Sequence, residues 1–315
     1  MLKKCASFLF LFLFALPSFL FSQSFHIVPL GVKGGIDESN LSAYMVAASG
    51  TNNYICLDAG TLHYGIEKAV ANKVFNIPAT QVLRQYIKGY FISHAHLDHI
   101  AGLIINSPDD ANKTIYALGS CIEAIKTHYF TPDSWINFGD EGQAPLLKKY
   151  HYQVLMPDSV VKVRNTGMTV QAFPLSHSNL TSTAFLIKSK DAYILYLGDT
   201  GADEIEESHN LHNLWQAIAP LIKNKKLRAM MIETSFPNEQ PDKTLFGHLT
   251  PHLLMKEMEE LSSLTGIDAL KGFNVIVTHV KPPQININKI KSQLKAKNKL
   301  QLNLIFPEQG KAIEL

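Results

Sequence analysis

The sequence predicts one mixed α/β domain, built from two β-sheets with helices on their outer faces. Three observations lead there. Short apolar or alternating segments recur from Phe25 to Ile305, and several are followed by stretches with helical spacing. No linker-like boundary, internal repeat or block of like charge divides them. The 315 residues, 46% hydrophobic and 18% charged, hold enough apolar material for one large core.

Taken in order, residues 25–30, 41–48 and 53–57 read as strands separated by the turn residues Gly31, Gly34-Gly35 and Ser49-Gly50. Asp58-Ala59-Gly60-Thr61 ends the third. Residues 67–74 and 81–88 have helical spacing, and Gly89 is expected to stop the second. Tyr90-Phe91-Ile92 is a short buried strand that runs into a histidine-rich motif. Residues 113–117 and 120–127 repeat strand then helix. The stretch 129–152 is less regular and carries Tyr129, Phe130, Trp135, Phe138, Tyr150 and Tyr152. It reads as an insertion or lid, not as a core element. Strands resume at 169–174, 182–188 and 192–197. A helix over 211–219 should end or kink at Pro220. A strand at 229–232, a helix at 251–264 and strands at 274–278 and 301–305 complete the series.

The N-terminus differs from the rest. Met1-Leu2-Lys3-Lys4 is a basic head, 8–21 is an almost unbroken Leu/Phe run containing Pro17, and Ser22 and Ser24 offer small side chains to a peptidase. That is the pattern of a secretory signal peptide, so 1–22 are expected to be removed, leaving a 23–315 domain in the periplasm or outside the cell. An uncleaved anchor is the rival, but the run falls short of a ~20-residue span and Pro17 would break it. Loss of Lys3 and Lys4 takes the formal charge of +2 to about zero, which leaves no broad basic face for a nucleic acid polymer. Of the cysteines that remain, Cys56 lies in an apolar strand and Cys121 in a helical stretch; two do not make a disulfide scaffold, and both are expected to be structural thiols.

The chemistry centres on His94-Ala-His96-Leu-Asp98-His99, four ligand-type side chains directly after a buried strand. On extended chain, residues two apart point the same way, so His94 and His96 can converge on one ion. If a helix begins near Asp98, then Asp98 and His99 leave in another direction and can serve a second ion beside the first. Imidazole and carboxylate suit zinc, manganese or iron, and the lack of Cys argues against a structural zinc cage. Three further ligand types follow strands: His177, Asp199 and His279. Singly, each could be an ordinary turn residue. Together they repeat one placement, with Asp199 able to bridge two cations while His177 and His279 complete separate shells.

This set resembles the metallo-β-lactamase superfamily. The longer string from His94 through Gly102 to Ser107-Pro108 is similar to something narrower, the signature of the class II 3′,5′-cyclic-nucleotide phosphodiesterases. Leu41-Ser-Ala-Tyr44, Leu57-Asp-Ala-Gly-Thr61, Gly198-Asp-Thr-Gly201, Glu233-Thr-Ser-Phe236, Phe246-Gly-His-Leu-Thr-Pro251 and Thr278-His-Val-Lys-Pro282 look like the same family. The likeness runs from about Phe25 to the C-terminus, with 129–152 the least matched part. It implies an αββα sandwich with the site at one edge of two packed sheets. It places His94, His96 and His177 on the first metal, Asp98, His99 and His279 on the second, and Asp199 between them. The implied cofactors are two divalent ions, Zn²⁺ first, with Mn²⁺ or Fe as alternatives.

The implied reaction is hydrolysis of the 3′ ester of cyclic AMP or cyclic GMP to a 5′-nucleotide, with Asp98, His248 and Glu233 as the residues active in turnover. The alkoxide leaving group needs a proton, which a positioned His248 imidazole could supply, and a Glu233 carboxylate on its far nitrogen would fix the tautomer. The plainer role for His248 is packing ahead of the 251 helix, with Thr250 as N-cap. Asp58 is balanced between orienting a metal-bound histidine and capping the Gly60 turn. His63, His128, His209 and His252 receive no role. The aromatics of 129–138 could form a stacking wall for the base, although such clusters are more often local core. The rivals are a tRNA-processing nuclease, which would want a basic arm; a lactonase, which would not need the Glu233 and His248 segments; and a non-catalytic binding protein, which should have lost ligands. The only partner implied is the small cyclic nucleotide; no membrane contact is expected after leader removal, and homodimerisation is left open.

Overall fold

The computed structural model describes residues 24–315 apart from Asp158 and Ile267, so the expected leader at 1–22 lies outside the described residues. Two seven-stranded mixed sheets pack face to face. The first contains β1 (Phe25–Gly31), β2 (Ala43–Ala48), β3 (Tyr54–Leu57), β4 (Ile87–Phe91), β5 (Lys113–Leu118) and β6 (Tyr150–Leu155), with β14 (Ile313–Glu314) on the β1 edge. The second contains β7 (Val160–Lys162), β8 (Met168–His177), β9 (Leu180–Ser189), β10 (Ala192–Leu197), β11 (Leu227–Glu233), β12 (Asn274–Thr278) and β13 (Asn303–Ile305). Each sheet starts with antiparallel hairpins and continues parallel: β3 to β6 in one, β10 to β13 in the other. The parallel strands therefore end on one side, and the loops after them meet at one edge.

Side-chain alternation sorts the core into three layers. Phe91, Tyr116, Phe185, Tyr196, Met231 and Ile276 point between the sheets, where the Phe91 and Tyr116 rings stack 4.4 Å apart. Their neighbours Tyr90, Ile92 and Ile115 point outward under α1 (His63–Ala71), α2 (Ala79–Gln81), α3 (Leu97–Asn106) and α4 (Gly119–Ala124). On the second sheet, Leu195, Leu197, Met230 and Val275 meet α5 (Asp203–Glu206), α6 (Asn210–Lys223), α7 (Pro251–Thr265) and α8 (Gln284–Lys297). The order helix, sheet, sheet, helix is the αββα sandwich expected from the resemblance.

Several local expectations are corrected. Gly89 does not stop a helix; it lies inside β4 and pairs with Ile55 and Thr114, because ladder pairing on both sides outweighs the helical spacing of 81–88. The helix before it is only α2 plus one wide turn, Val82–Tyr86. α6 runs through Pro220 to Lys223, since Pro220 lies on the exposed face and the buried Ile218, Ala219 and Ile222 hold the last turn down. The reading of 129–152 as a lid fails at its ends. Tyr150 and Tyr152 are inward residues of β6, and Phe130 and Phe138 pack around Tyr150. Those aromatics are core, and only the segment between them is irregular. The helix α8 and the short strands β7 and β14 carry no expectation from sequence. Cys56 and Cys121 are buried free thiols.

Candidate active site

The motif begins where β4 ends. α3 opens at Leu97 after an extended His96, so His94 and His96 lie on the short loop ahead of the helix and Asp98 and His99 in its first turn. His177 ends β8, Asp199 follows β10, and His279 follows β12. Strand ends from both sheets thus deliver seven ligand-type side chains to one place, all but His96 and Asp98 nearly inaccessible.

They form two nests. His94 Nε2 lies 3.0 Å from His96 Nδ1, which lies 3.3 Å from His177 Nε2. His279 Nε2 lies 3.2 Å from His99 Nε2 and 3.1 Å from Asp98 Oδ2. Asp199 Oδ2 sits between the nests, 3.8 Å and 3.9 Å from His94 and His177 on one side, 3.2 Å and 3.3 Å from His99 and His279 on the other.

The outer contacts explain why these nitrogens point inward. His99 Nδ1 donates to Asp58 Oδ2 over 2.7 Å, and His177 Nδ1 donates to the Gly247 carbonyl over 2.8 Å. The Ser93 hydroxyl donates to Asp58 and accepts from His94 Nδ1; the Ser235 hydroxyl donates to Glu233 and accepts from His279 Nδ1 over 2.9 Å. Four Nδ1 atoms are thereby engaged, which turns the four Nε2 atoms toward one another. Nitrogens 3.0–3.3 Å apart, most of them with lone pairs rather than protons to offer, are a donor set that fits divalent cations and not a self-satisfied hydrogen-bond cluster.

Asp58 is settled by this geometry. Its carboxylate turns inward to accept from the Ser93 backbone N–H, the Ser93 hydroxyl, Tyr196 and His99, and it does not cap the Gly60 turn. Two glycines admit the ligands: a Cβ on Gly34 would lie 2.2 Å from the His279 ring, and one on Gly247 (φ +75°) would strike His177 and Ser178. The Gly35 N–H also donates to Asp98 Oδ2 over 2.8 Å.

Electrostatics follow the same pairing. Burial alone would raise the Asp98 carboxyl, but His99 and His279 beside it hold it well below the usual carboxylate range. Burial works against Asp199 too, and His279, His99 and His248 overcome it. Desolvation pushes His94 and His96 down, so their neutral, metal-competent forms are favoured.

Beside the second nest, His248 Nδ1 donates to Glu233 Oε1 over 2.6 Å, and both residues are buried. Glu233 also accepts from the Thr200 and Leu249 N–H groups. Burial raises its carboxyl and His248 lowers it, with a net downward shift. Thr250 does cap α7, accepting from the Leu253 N–H, so the capping and site roles coexist in neighbouring residues. Sequence reading missed Ser235, although it lies inside the Glu233-Thr-Ser-Phe236 segment, and it missed Lys281, whose Nζ lies 2.8 Å from His248 Nε2. His128 and Tyr129 line a cleft of about 370 Å³ with His94 and His96; Trp135 turns away, its indole N–H donating to Ser107.

In sequence and fold the chain is similar to known proteins. The family model described as cAMP phosphodiesterases class-II matches residues 25–310. A 3′,5′-cyclic-nucleotide phosphodiesterase from Aliivibrio fischeri is 43% identical over 93% of each chain, and a probable 3′,5′-cyclic-nucleotide phosphodiesterase from Yersinia pestis is 39% identical over 94% of this chain and 91% of that one. The crystal structure of unliganded yeast PDE1 superposes with a TM-score of 0.82 at 23% identity, covering 93% of this chain and all of that one. The Bacillus subtilis metallo-β-lactamase fold protein YhfI gives 0.62 at 16% identity over 92% and 99%. The structural likenesses show the fold; the family match over nearly the whole chain adds the lineage, and with it the chain belongs to the class-II cAMP phosphodiesterase family.

Proposed function

We propose that this enzyme hydrolyses the 3′ ester of 3′,5′-cyclic nucleotides, yielding 5′-nucleotides, at a two-metal site. The observation that carries this is the buried Glu233–His248 pair beside two ligand nests, an arrangement that joins a proton donor to a site for anionic phosphate. His94, His96 and His177 would hold one cation and Asp98, His99 and His279 the other, with Asp199 between; Zn²⁺ is the first choice on ligand type. When bound, the two ions would acidify the attacking water toward pKa ~7 and offset charge on the phosphoryl oxygens.

The protein's own groups do the rest. Asp58, Ser93, Ser235 and the Gly247 carbonyl hold the imidazoles in register, so little reorganisation remains when substrate arrives. Glu233 keeps the His248 proton on Nδ1 and aims Nε2 at the site. A second proton, taken up on Nε2, passes from there to the departing 3′ oxygen, which is a poor leaving group without it. The cleft beside His96 and Tyr129 is open to the nucleoside.

The leader sequence supports action outside the cytoplasm, where the enzyme would scavenge extracellular or periplasmic nucleotide. Among the described residues no helix is long and apolar enough to cross a membrane. Turnover of cyclic AMP, cyclic GMP and bis(p-nitrophenyl) phosphate by metal-replete protein tests the substrate class. Activity on the aryl ester alone would remove the cyclic nucleotide from the account.

A further inference from the structure

Lys281 follows the ligand His279 by two positions and is fastened to the site by its backbone, whose N–H donates to the Ser235 carbonyl over 3.2 Å. Its side chain is half-buried and passes over the Phe236 ring, with Nζ 5.0 Å from the centroid. Phe236 in turn meets His248 edge-on, with centroids 5.7 Å apart. The ammonium ends 2.8 Å from His248 Nε2. No carboxylate among the described residues lies within the 4.0 Å ion-pair distance of Nζ, so a held cation faces the site without an anionic partner.

His248 Nδ1 is committed to Glu233, so only Nε2 can serve a substrate atom. A hydrogen bond from Nε2 reaches about 2.7–3.0 Å. Lys281 already occupies that direction at 2.8 Å. Any oxygen that takes its place on Nε2 must therefore sit against the ammonium as well. We propose that Lys281 is a further catalytic residue, whose ammonium moves from His248 onto the departing 3′ oxygen and stabilises the charge that develops there.

This rests on the phosphodiesterase reading and adds one contact to it. A water oxygen bonds to phosphorus while the P–O3′ bond breaks and leaves its electron pair on O3′. While Lys281 donates to it, Nε2 carries no proton; once the ammonium moves off, Nε2 takes up a solvent proton and passes it to O3′, and Lys281 keeps its charge throughout. The proton lost by the water, exchanged through solvent, restores His248. A cation placed where charge appears acts on the barrier and not on ground-state binding, so the loss belongs in kcat.

The test compares metal-loaded wild type, Lys281→Met and Lys281→Arg on cyclic AMP and on bis(p-nitrophenyl) phosphate, whose p-nitrophenolate departs without help. For Lys281→Met the expected result is about a 10²-fold fall in kcat on cyclic AMP with KM changed by less than about threefold, and less than about a threefold fall on the aryl ester. Lys281→Arg should recover part of the loss, and metal content should stay at the wild-type level. Equal losses on both substrates, a rise in KM with kcat intact, or loss of metal would each overturn the assignment. Wild type that turns over the aryl ester but not cyclic AMP would overturn the cyclic-nucleotide reading itself.

Discussion

Replacing Asp58 should weaken both the fold and the metal site. Its fully buried carboxylate accepts from the Ser93 N–H at 2.7 Å, the Ser93 hydroxyl at 2.9 Å, Tyr196 at 2.5 Å and His99 Nδ1 at 2.7 Å. Asp58→Ala strands those donors away from water, at about 1–3 kcal/mol for each one left unpaired. Partial relaxation keeps the sum below simple addition, and about 4 kcal/mol is expected, a Tm fall of roughly 6–7 °C for a chain of this length. Asp58 also has a φ of +52°, which Asn tolerates better than Ala, so Asp58→Asn isolates the side chain from the backbone. Asn keeps one acceptor and should lose about half as much stability. In both variants His99 loses the anion that fixes its tautomer, so metal affinity should fall by about 10- to 100-fold. Thermal unfolding and chelator-competition titration measure the two effects, and wild type should bind two ions per chain. An Asp58→Ala protein that melts within about 1 °C of wild type with unchanged metal uptake would refute the reasoning.

Two other predictions concern separate parts of the molecule. Asp98→Ala should cut turnover of cyclic AMP by roughly 10²–10³-fold, whereas His252→Ala, at an exposed position on α7, should stay within about twofold; equal losses would mean the site is misassigned. On α7, burial pushes the Glu257 carboxyl up to about 7, with Asp203 and Glu260 adding to it, while it accepts from the Trp215 indole. The folded state then holds a proton that the unfolded chain releases from about pH 4.5, so this group's contribution falls as pH rises from about 4.5 to 7 and levels off above. Glu257→Gln keeps the acceptor and removes the titration. It should be more stable than wild type at pH 8, by about 3 kcal/mol, and gain little at pH 4. Parallel pH slopes in denaturant melts of the two proteins would contradict this.

What could be read from sequence was what is local in sequence. His94, His96, Asp98 and His99 are consecutive on a strand end and a helix start, so the periodicities of those two conformations already separate them into two directions. His177, Asp199 and His279 were visible because each follows an apolar strand, although only the shared sheet edge brings them together. Asp58 could not be decided locally, since its partners Ser93, His99 and Tyr196 lie 35, 41 and 138 positions away. Ser235 and Lys281 act through contacts with His279 and His248 that no spacing encodes. The two-sheet architecture was legible in the strand order, but Gly89 and Pro220 misled because ladder pairing and burial outweighed their local preferences. The alternation of Tyr150 and Tyr152, inward, with the exposed His151 between them was hidden by the aromatic crowding of the segment before it.

At this site a cyclic phosphodiester is opened at its 3′ ester. Incubating the metal-replete protein with 3′,5′-cyclic AMP and identifying the product by phosphorus NMR tests it most directly. The expected result is 5′-AMP as the sole nucleotide product, formed only while metal is present. Formation of 3′-AMP, or no hydrolysis by protein carrying two metal ions, would contradict it.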